Sequence, residues 1–376
     1  MTAMTSPPTA TPAAVGKSAP KERVPFWDNA RFLCVTLVVI GHGIQRLTAD
    51  SDNALIVYLF IYAFHMPAFA IISGYFSRPG SPNARQMTKV ITDIIVPYVI
   101  MESIWTFVQF VVEGKREFNP TQPSWTLWFL LALGIFRLIL PYLALLKFPL
   151  LIAVLFSVGV GYFGNVDSTF SLSRAIGILP FFVLGWKLNE WGVVDRWRRV
   201  VHGWWVRVVA VGVLGAWLAV VGGNINLWRE IDLRYWFFYD DSYRGLGGGE
   251  WWAGAVRLGL IVLAVVLTAA FFALIPRRET WITDFGTSTM YVYLLHSFIL
   301  YPLRETGILK DEHTSAVWLV SMVFACIAIS IALSAPIVRR IFHPIVEPKP
   351  RWLFVKRKEG PMRETRTDPT GSRRSR

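Results

Sequence analysis

Cysteine is nearly absent: Cys34 and Cys326 are the only two in 376 residues, each inside an apolar run. A disulfide framework or a zinc site is unsupported, and both thiols read as small packing residues. Charge is sparse too, at 17%, whereas a soluble chain of this length would interrupt its apolar runs every few residues. No P-loop, HExxH, GxSxG or glycine-rich dinucleotide fingerprint is present. ATP-driven transport, metalloprotease and serine-hydrolase chemistry thus lack a signature. No carboxylate cluster suggests a metal centre, so none is expected. Residues 1 to 24, rich in Thr, Ala and Pro, hold no apolar run of signal-peptide type and read as a disordered cytoplasmic tail.

What is present is apolar sequence. Hydrophobic residues make up 54% of the chain, with 17 tryptophans and a mean hydropathy of +0.44, in long blocks that mark a polytopic membrane protein. The net charge of +13 comes from basic residues in short loops and a tail. That is a topology signal, and no nucleic-acid partner is expected. Scanning for stretches of ~20 apolar residues gives ten candidate spans. They lie at 26 to 47, 53 to 76, 88 to 112, 125 to 146, 149 to 164, 172 to 190, 203 to 222, 254 to 275, 284 to 303 and 315 to 339. Lys17, Arg23, Arg78, Arg85, Lys89, Lys147, Lys187, Arg198, Arg277 and the tail after Arg339 alternate with loops that are uncharged or charge-balanced. The expected fold is therefore an all-α bundle of about ten transmembrane helices with both termini cytoplasmic. It divides into a membrane domain at 25 to 345 and a basic, disordered cytoplasmic tail at 346 to 376. The long outer loop at about 224 to 253, dense in Trp, Tyr and Phe, reads either as a lid or interfacial shelf or as an aromatic belt at the headgroups.

Ionisable groups inside spans are costly, by ~2.5 to 3.5 kcal/mol on insertion scales, so each is a functional candidate. In "DNARFLCVTLVVIGHG", Arg31 and His42 are eleven residues apart. A helix brings them to within about 20° of one direction, separated by about 16 Å along the axis. Asp28 can pair with Arg31 across one turn, and Gly41 and Gly43 leave the His42 ring approachable by a substrate or a helix. Arg31 also admits the plainer reading of a snorkelling anchor, and His42 that of a packing histidine. In "FHMPAFAIISGYF", His65 precedes Pro67, which loosens the helix and frees a backbone carbonyl; Ser73 and Tyr75 follow. In "TSTMYVYLLHSF", Tyr293 and His296 share a face one turn apart. Glu102, an intramembrane carboxylate without an evident local partner, should face the interior. Arg174 opens the sixth span, while Trp125 and Trp128 read as site residues or interfacial anchors. Imidazole near neutral pKa suits proton removal from a hydroxyl attacking a carbonyl, and arginine suits an anionic group.

These motifs resemble acyltransferase family 3, the bacterial integral-membrane O-acyltransferases. The carriers are Arg-x10-His at Arg31 and His42 with Asp28, "FHMPAFAIISGYF", "LWFLLALGIFR" and "MYVYLLHSFIL", in that order over roughly 25 to 340. The Trp-Phe-Leu and FHMP variants are similar to the fucose 4-O-acetylase-like branch. The resemblance implies a multi-pass protein of the bacterial cell membrane, acetyl-CoA or another acyl-CoA as donor and no metal. It implies a carbohydrate or glycolipid acceptor, often at the outer face. It gives Arg31 and His42 paired essential roles, with His65 and His296 lining the site as further catalytic residues. Donor phosphates would fall to Arg31, Arg85 and Lys89, although "RQMTKVITDIIVP" is poorer in arginine than the family pattern. Asp28, Glu102, Trp128, Ser73, Tyr75 and Tyr293 are expected as supporting residues. Some members carry an esterase-like extracytoplasmic domain that this sequence lacks, so a handover to such a partner would occur in trans. The rival reading is a proton-coupled secondary transporter using Arg31, His42, Glu102 and His296, although no matching halves are seen.

Overall fold

The computed structural model describes residues 23–354, except 81–82, 115–117, 167, 201–202 and 306–314 and the side chains at 85, 199, 200 and 351. Most of the two expected disordered tails lies outside the described residues. Within them the chain is helical, with no strand.

Helix α1, Pro25–Ile44, opens on proline, whose missing N–H costs nothing at the first position, and carries Asp28 in its first turn. Helix α2, Asp52–Tyr62, is capped by the Ser51 hydroxyl, which accepts from the Ala54 amide at 3.3 Å. Helix α3, His65–Tyr75, follows a break at residues 63 and 64, because Pro67 lacks the amide hydrogen that would continue α2. Helices α4, Ala84–Val90, and α5, Val96–Glu113, meet through a π-helical turn, Ile91–Ile95, just before Pro97. Helices α6, Trp128–Leu143, and α7, Pro149–Val160, flank the turn marked by Lys147 and Pro149. Then come α8, Leu172–Glu190, α9, Val193–Val200, and α10, Trp204–Gly223. Short helices α11, Ile225–Glu230, and α12, Leu233–Trp236, precede α13, Ala253–Leu274. The described chain continues with α14, Thr289–Glu305, α15, Ala316–Leu333, and α16, Pro336–Val346. The stretch expected as one span at 315 to 339 is thus two helices, since Pro336 cannot extend α15 and instead opens α16.

Among the described residues, seven helical stretches are long and apolar enough to cross a membrane: Pro25–Thr48, Asp52–Tyr75, Gln86–Glu113, Thr169–Glu190, Trp204–Gly223, Ala253–Leu274 and Ala316–Leu333. Helices α6 and α7 are apolar but shorter. The protein is an all-helical, multi-pass membrane protein.

In lipid the tails are as apolar as leucine, so close backbone approach has to hold helices together. Helices α3 and α8 show this: a Cβ at Gly74 would run into the Phe182 carbonyl, and one at Gly185 into that of Ile71. Helix α1 packs against α3, α14, α15 and the turn at 284 to 288. A Cβ at Gly43 would meet the Cys326 sulfur, which gives both cysteine-bearing helices a packing reason for small residues. Asn29, fully buried, ties α1 down: its amide donates to the carbonyls of Pro276 (3.0 Å) and Arg278 (3.1 Å). Its oxygen accepts from the hydroxyls of Thr280 (3.1 Å) and Thr283 (2.8 Å).

The connection between α10 and α13 is folded onto the bundle. Trp236, Phe237, Tyr239 and Tyr243 are buried, whereas Trp251 is exposed. The Tyr243 hydroxyl donates to the Val158 carbonyl at 2.7 Å, and Asp240 pairs with Arg174 at 2.6 Å. Neighbouring Asp241 has its carboxyl pushed up by burial and then by the Asp240 charge.

Candidate active site

Helix α1 places Arg31 and His42 at its two ends, and a different cavity opens at each. At the Arg31 end, a cavity of about 590 Å³ is lined by Arg31, Ser73, Arg78, Lys89, Arg137 and Tyr293, among others, with Asp93 as its acid. Arg31 donates to Asp28 at 3.1 Å and lies 4.3 Å from the Phe76 ring centre, which holds it without neutralising the whole cavity. Arg85 belongs to α4, but its side chain is outside the described residues. Tyr75 is set apart from this cavity, with its ring 4.2 Å from that of Trp27.

At the other end His42 lines two cavities of about 240 and 230 Å³ that share Gln45, Trp125 and Arg304. The second also takes in Tyr62, His65, Trp128, Arg174 and Phe238. The His42 ring centre lies 5.6 Å from that of His296 and 6.4 Å from that of Trp125. Tyr293 is 6.5 Å from His296, so His296 neighbours both Tyr293, which lines the Arg31 cavity, and His42, which lines the other two. The Tyr293 hydroxyl donates to the Thr126 carbonyl.

Local backbone chemistry sets the ring orientations. His65 Nδ1 lies 2.9 Å from the Ile61 carbonyl at the break made by Pro67, and His296 Nδ1 lies 2.9 Å from the Val292 carbonyl. A carbonyl only accepts, so in each neutral ring Nδ1 carries the hydrogen and Nε2 the lone pair. His296 Nε2 and His42 Nδ1 are buried and make no hydrogen bond.

Glu102 does have a partner, which lies far away in sequence. Its carboxylate accepts from the Ser124 amide at 2.9 Å and the Ser124 hydroxyl at 2.7 Å. This anchors the turn in which Trp125 takes φ +51°, a left-handed conformation that a bulky residue holds only under outside constraint. So placed, the Trp125 ring stacks parallel to Trp105 at 5.5 Å and lies 4.8 Å from the Arg304 guanidinium. Trp128 lies 5.2 Å from the Arg174 guanidinium, which is braced by Asp240. A polar cleft of about 560 Å³ adjoins, sharing Trp125, Trp128 and Arg174 and lined also by Glu102, Gln122 and Asp240.

The structure thus gathers His42, His65, His296 and Trp128 at one end and Arg31, Lys89, Ser73 and Tyr293 at the other. Sequence reading missed Tyr62, Arg137, Asp240 and Arg304. Arg304 alone had a readable signal, as a cation two turns beyond His296 on the same helix.

Nodulation protein NolL of Mesorhizobium japonicum is 26% identical over a 208-residue alignment that covers 50% of this chain and 53% of that protein. The chain therefore spans about half the length of the curated relative it matches. No solved structure matches the chain. The family model described as an acyltransferase domain matches residues 24–335, nearly the whole membrane bundle and both ends of α1. The chain belongs to acyltransferase family 3.

Proposed function

We propose that the protein moves an acyl group, most simply acetyl, from acyl-CoA to a hydroxyl of a carbohydrate or glycolipid. The observation that carries this reading is the pairing of two cavities across one helix: a cationic one at Arg31 and an imidazole-lined one at His42. The donor's phosphates sit among Arg31, Arg78, Lys89 and Arg137, with Arg85 as a further candidate. The pantetheine arm runs past Tyr293 and His296, and the thioester reaches His42. With both termini cytoplasmic, the Arg31 cavity faces the cytoplasm and the His42 cavities face outward.

At His42 the acceptor hydroxyl loses its proton to the imidazole as its oxygen attacks the thioester carbonyl. The carbon–sulfur bond breaks, and the proton passes to the departing thiolate, giving ester and free CoA. In a second version the imidazole attacks the thioester first, the carbon–sulfur bond breaks and CoA leaves as thiol with the ring's N–H proton; the hydroxyl oxygen then takes the acyl group and its proton returns to the ring.

The test uses protein reconstituted in vesicles with acetyl-CoA. Free CoA should appear faster when a host envelope extract is added, and His42→Ala should remove that increase. CoA release indifferent to both the extract and His42 would defeat the reading. Dissipation of a solute gradient without CoA release would favour the transporter instead.

A further inference from the structure

The first His42 cavity is lined by Arg46, Arg234 and Arg304, and no carboxylate lines it. The carboxylates that pair with these arginines are not among the residues lining the cavity. Glu305 lies 3.5 Å from Arg46 and 3.3 Å from Arg304, serving both, and Asp232 lies 3.4 Å from Arg234. Among the described residues, two acids therefore serve three guanidinium groups, and the unbalanced charge faces the cavity that holds His42.

These guanidinium groups are also prearranged. Arg304 is held over the Trp125 ring, and Arg234 lies 4.7 Å from the Tyr235 ring centre while donating to its hydroxyl at 3.1 Å. Their side chains are 37% and 33% exposed, and that of Arg46 is 41% exposed. They are fixed in place yet open to a ligand. A planar guanidinium fork recognises carboxylate or phosphate oxygens with little loss of side-chain freedom. A neutral sugar needs no such group, and the adjoining cleft with Glu102, Gln122 and Asp240 offers neutral hydroxyls both donors and acceptors.

Resting on the acyltransferase reading, we propose that the acceptor is an acidic hydroxyl compound. Its carboxylate or phosphate oxyanion seats on Arg46, Arg234 and Arg304, while the hydroxyl to be acylated lies at His42. His42 lines the same cavity as the three arginines, and Trp125 neighbours both His42 (6.4 Å) and Arg304 (4.8 Å), which suits an acid and a hydroxyl on the same or adjacent sugar units.

The test compares binding of methyl glucuronide and methyl glucoside to the full-length protein in phosphatidylcholine nanodiscs by titration calorimetry. The glucuronide should bind roughly tenfold more tightly or better, as expected for a charge-assisted contact. In Arg234→Gln/Arg304→Gln the ratio should fall towards one, with thermal unfolding used to confirm that the variant is folded. If the double variant does not fold, the single variants Arg46→Gln and Arg234→Gln should each lower the ratio. Equal binding of the two glycosides by wild type, including no binding of either, overturns the proposal, as does a preference that survives the substitutions. Repeating the titration in phosphatidylglycerol discs separates the sources of the oxyanion. An unchanged preference assigns the seat to the acceptor, and a lost preference assigns it to lipid headgroups and overturns the proposal. CoA release from acetyl-CoA is scored on the same samples. If that release fails while the preference persists, the acyltransferase reading fails and the anion seat stands.

Discussion

A neutral imidazole has one hydrogen to give, and in this protein backbone carbonyls decide where two of those hydrogens go. His65 and His296 spend theirs on Ile61 and Val292, which turns the lone pair of each ring towards Nε2. His42 is not tied in this way, because its Nδ1 makes no hydrogen bond. In the proposed reaction it is the ring that would exchange a proton or an acyl group. His42→Ala is expected to lower acyl transfer by ~10²- to 10⁴-fold, the usual contribution of a general base, with donor KM little changed in steady-state assays. Glu102→Ala leaves the Ser124 amide and hydroxyl without their acceptor. It should cost about 1–3 kcal/mol and lower the thermal midpoint in detergent; an unchanged midpoint would contradict the role given to Glu102. The spacing of Arg31 and His42 and the one-turn offset of Tyr293 and His296 were legible in the sequence, because a helix repeats every 3.6 residues. The Glu102 to Ser124 bond and the Arg174 to Asp240 pair were not legible, since helical periodicity says nothing about partners 22 or 66 residues apart.

At the scale of helices, hydrophobic runs and prolines carried most of the information. Pro149 broke the chain where the sequence marked a turn, whereas Pro67, read as loosening one span, separates two helices. Pro336 divided a stretch that hydropathy alone joins, because apolar character does not register a missing amide hydrogen. Contact between α3 and α8 rests on Gly74 and Gly185, and their tolerance to substitution tests it. Gly74→Ala and Gly185→Ala should each cost about 1–3 kcal/mol through overpacking, whereas Gly159→Ala, where a Cβ would meet nothing within 4 Å, should leave the thermal midpoint unchanged or raised. Equal midpoints for the three variants would show that the close approach is unimportant. The aromatic connection after α10 was legible as unusual, but its burial was not. An aromatic run reads the same whether it rests at headgroups or folds onto the bundle.

At the scale of the whole molecule, one helix joins a basic cavity to an imidazole cavity, and the neighbouring rings of Tyr293, His296 and His42 stand between them. If acyl-CoA enters at the Arg31 end, Lys89→Glu and Arg137→Glu should raise the KM for acetyl-CoA several-fold with little change in kcat. A fall in kcat at constant KM would place those residues in the chemistry instead. The central claim is that His42 is where the acyl group changes hands, and it can be checked without knowing the acceptor. The measurement is mass spectrometry of surface glycans and glycolipids from the native host with the gene deleted and then restored as wild type or as His42→Ala at equal protein level. Wild type should restore an ester-linked acyl increment that the deletion lacks, and His42→Ala should not restore it. The same increment from both, or from neither, would contradict the account.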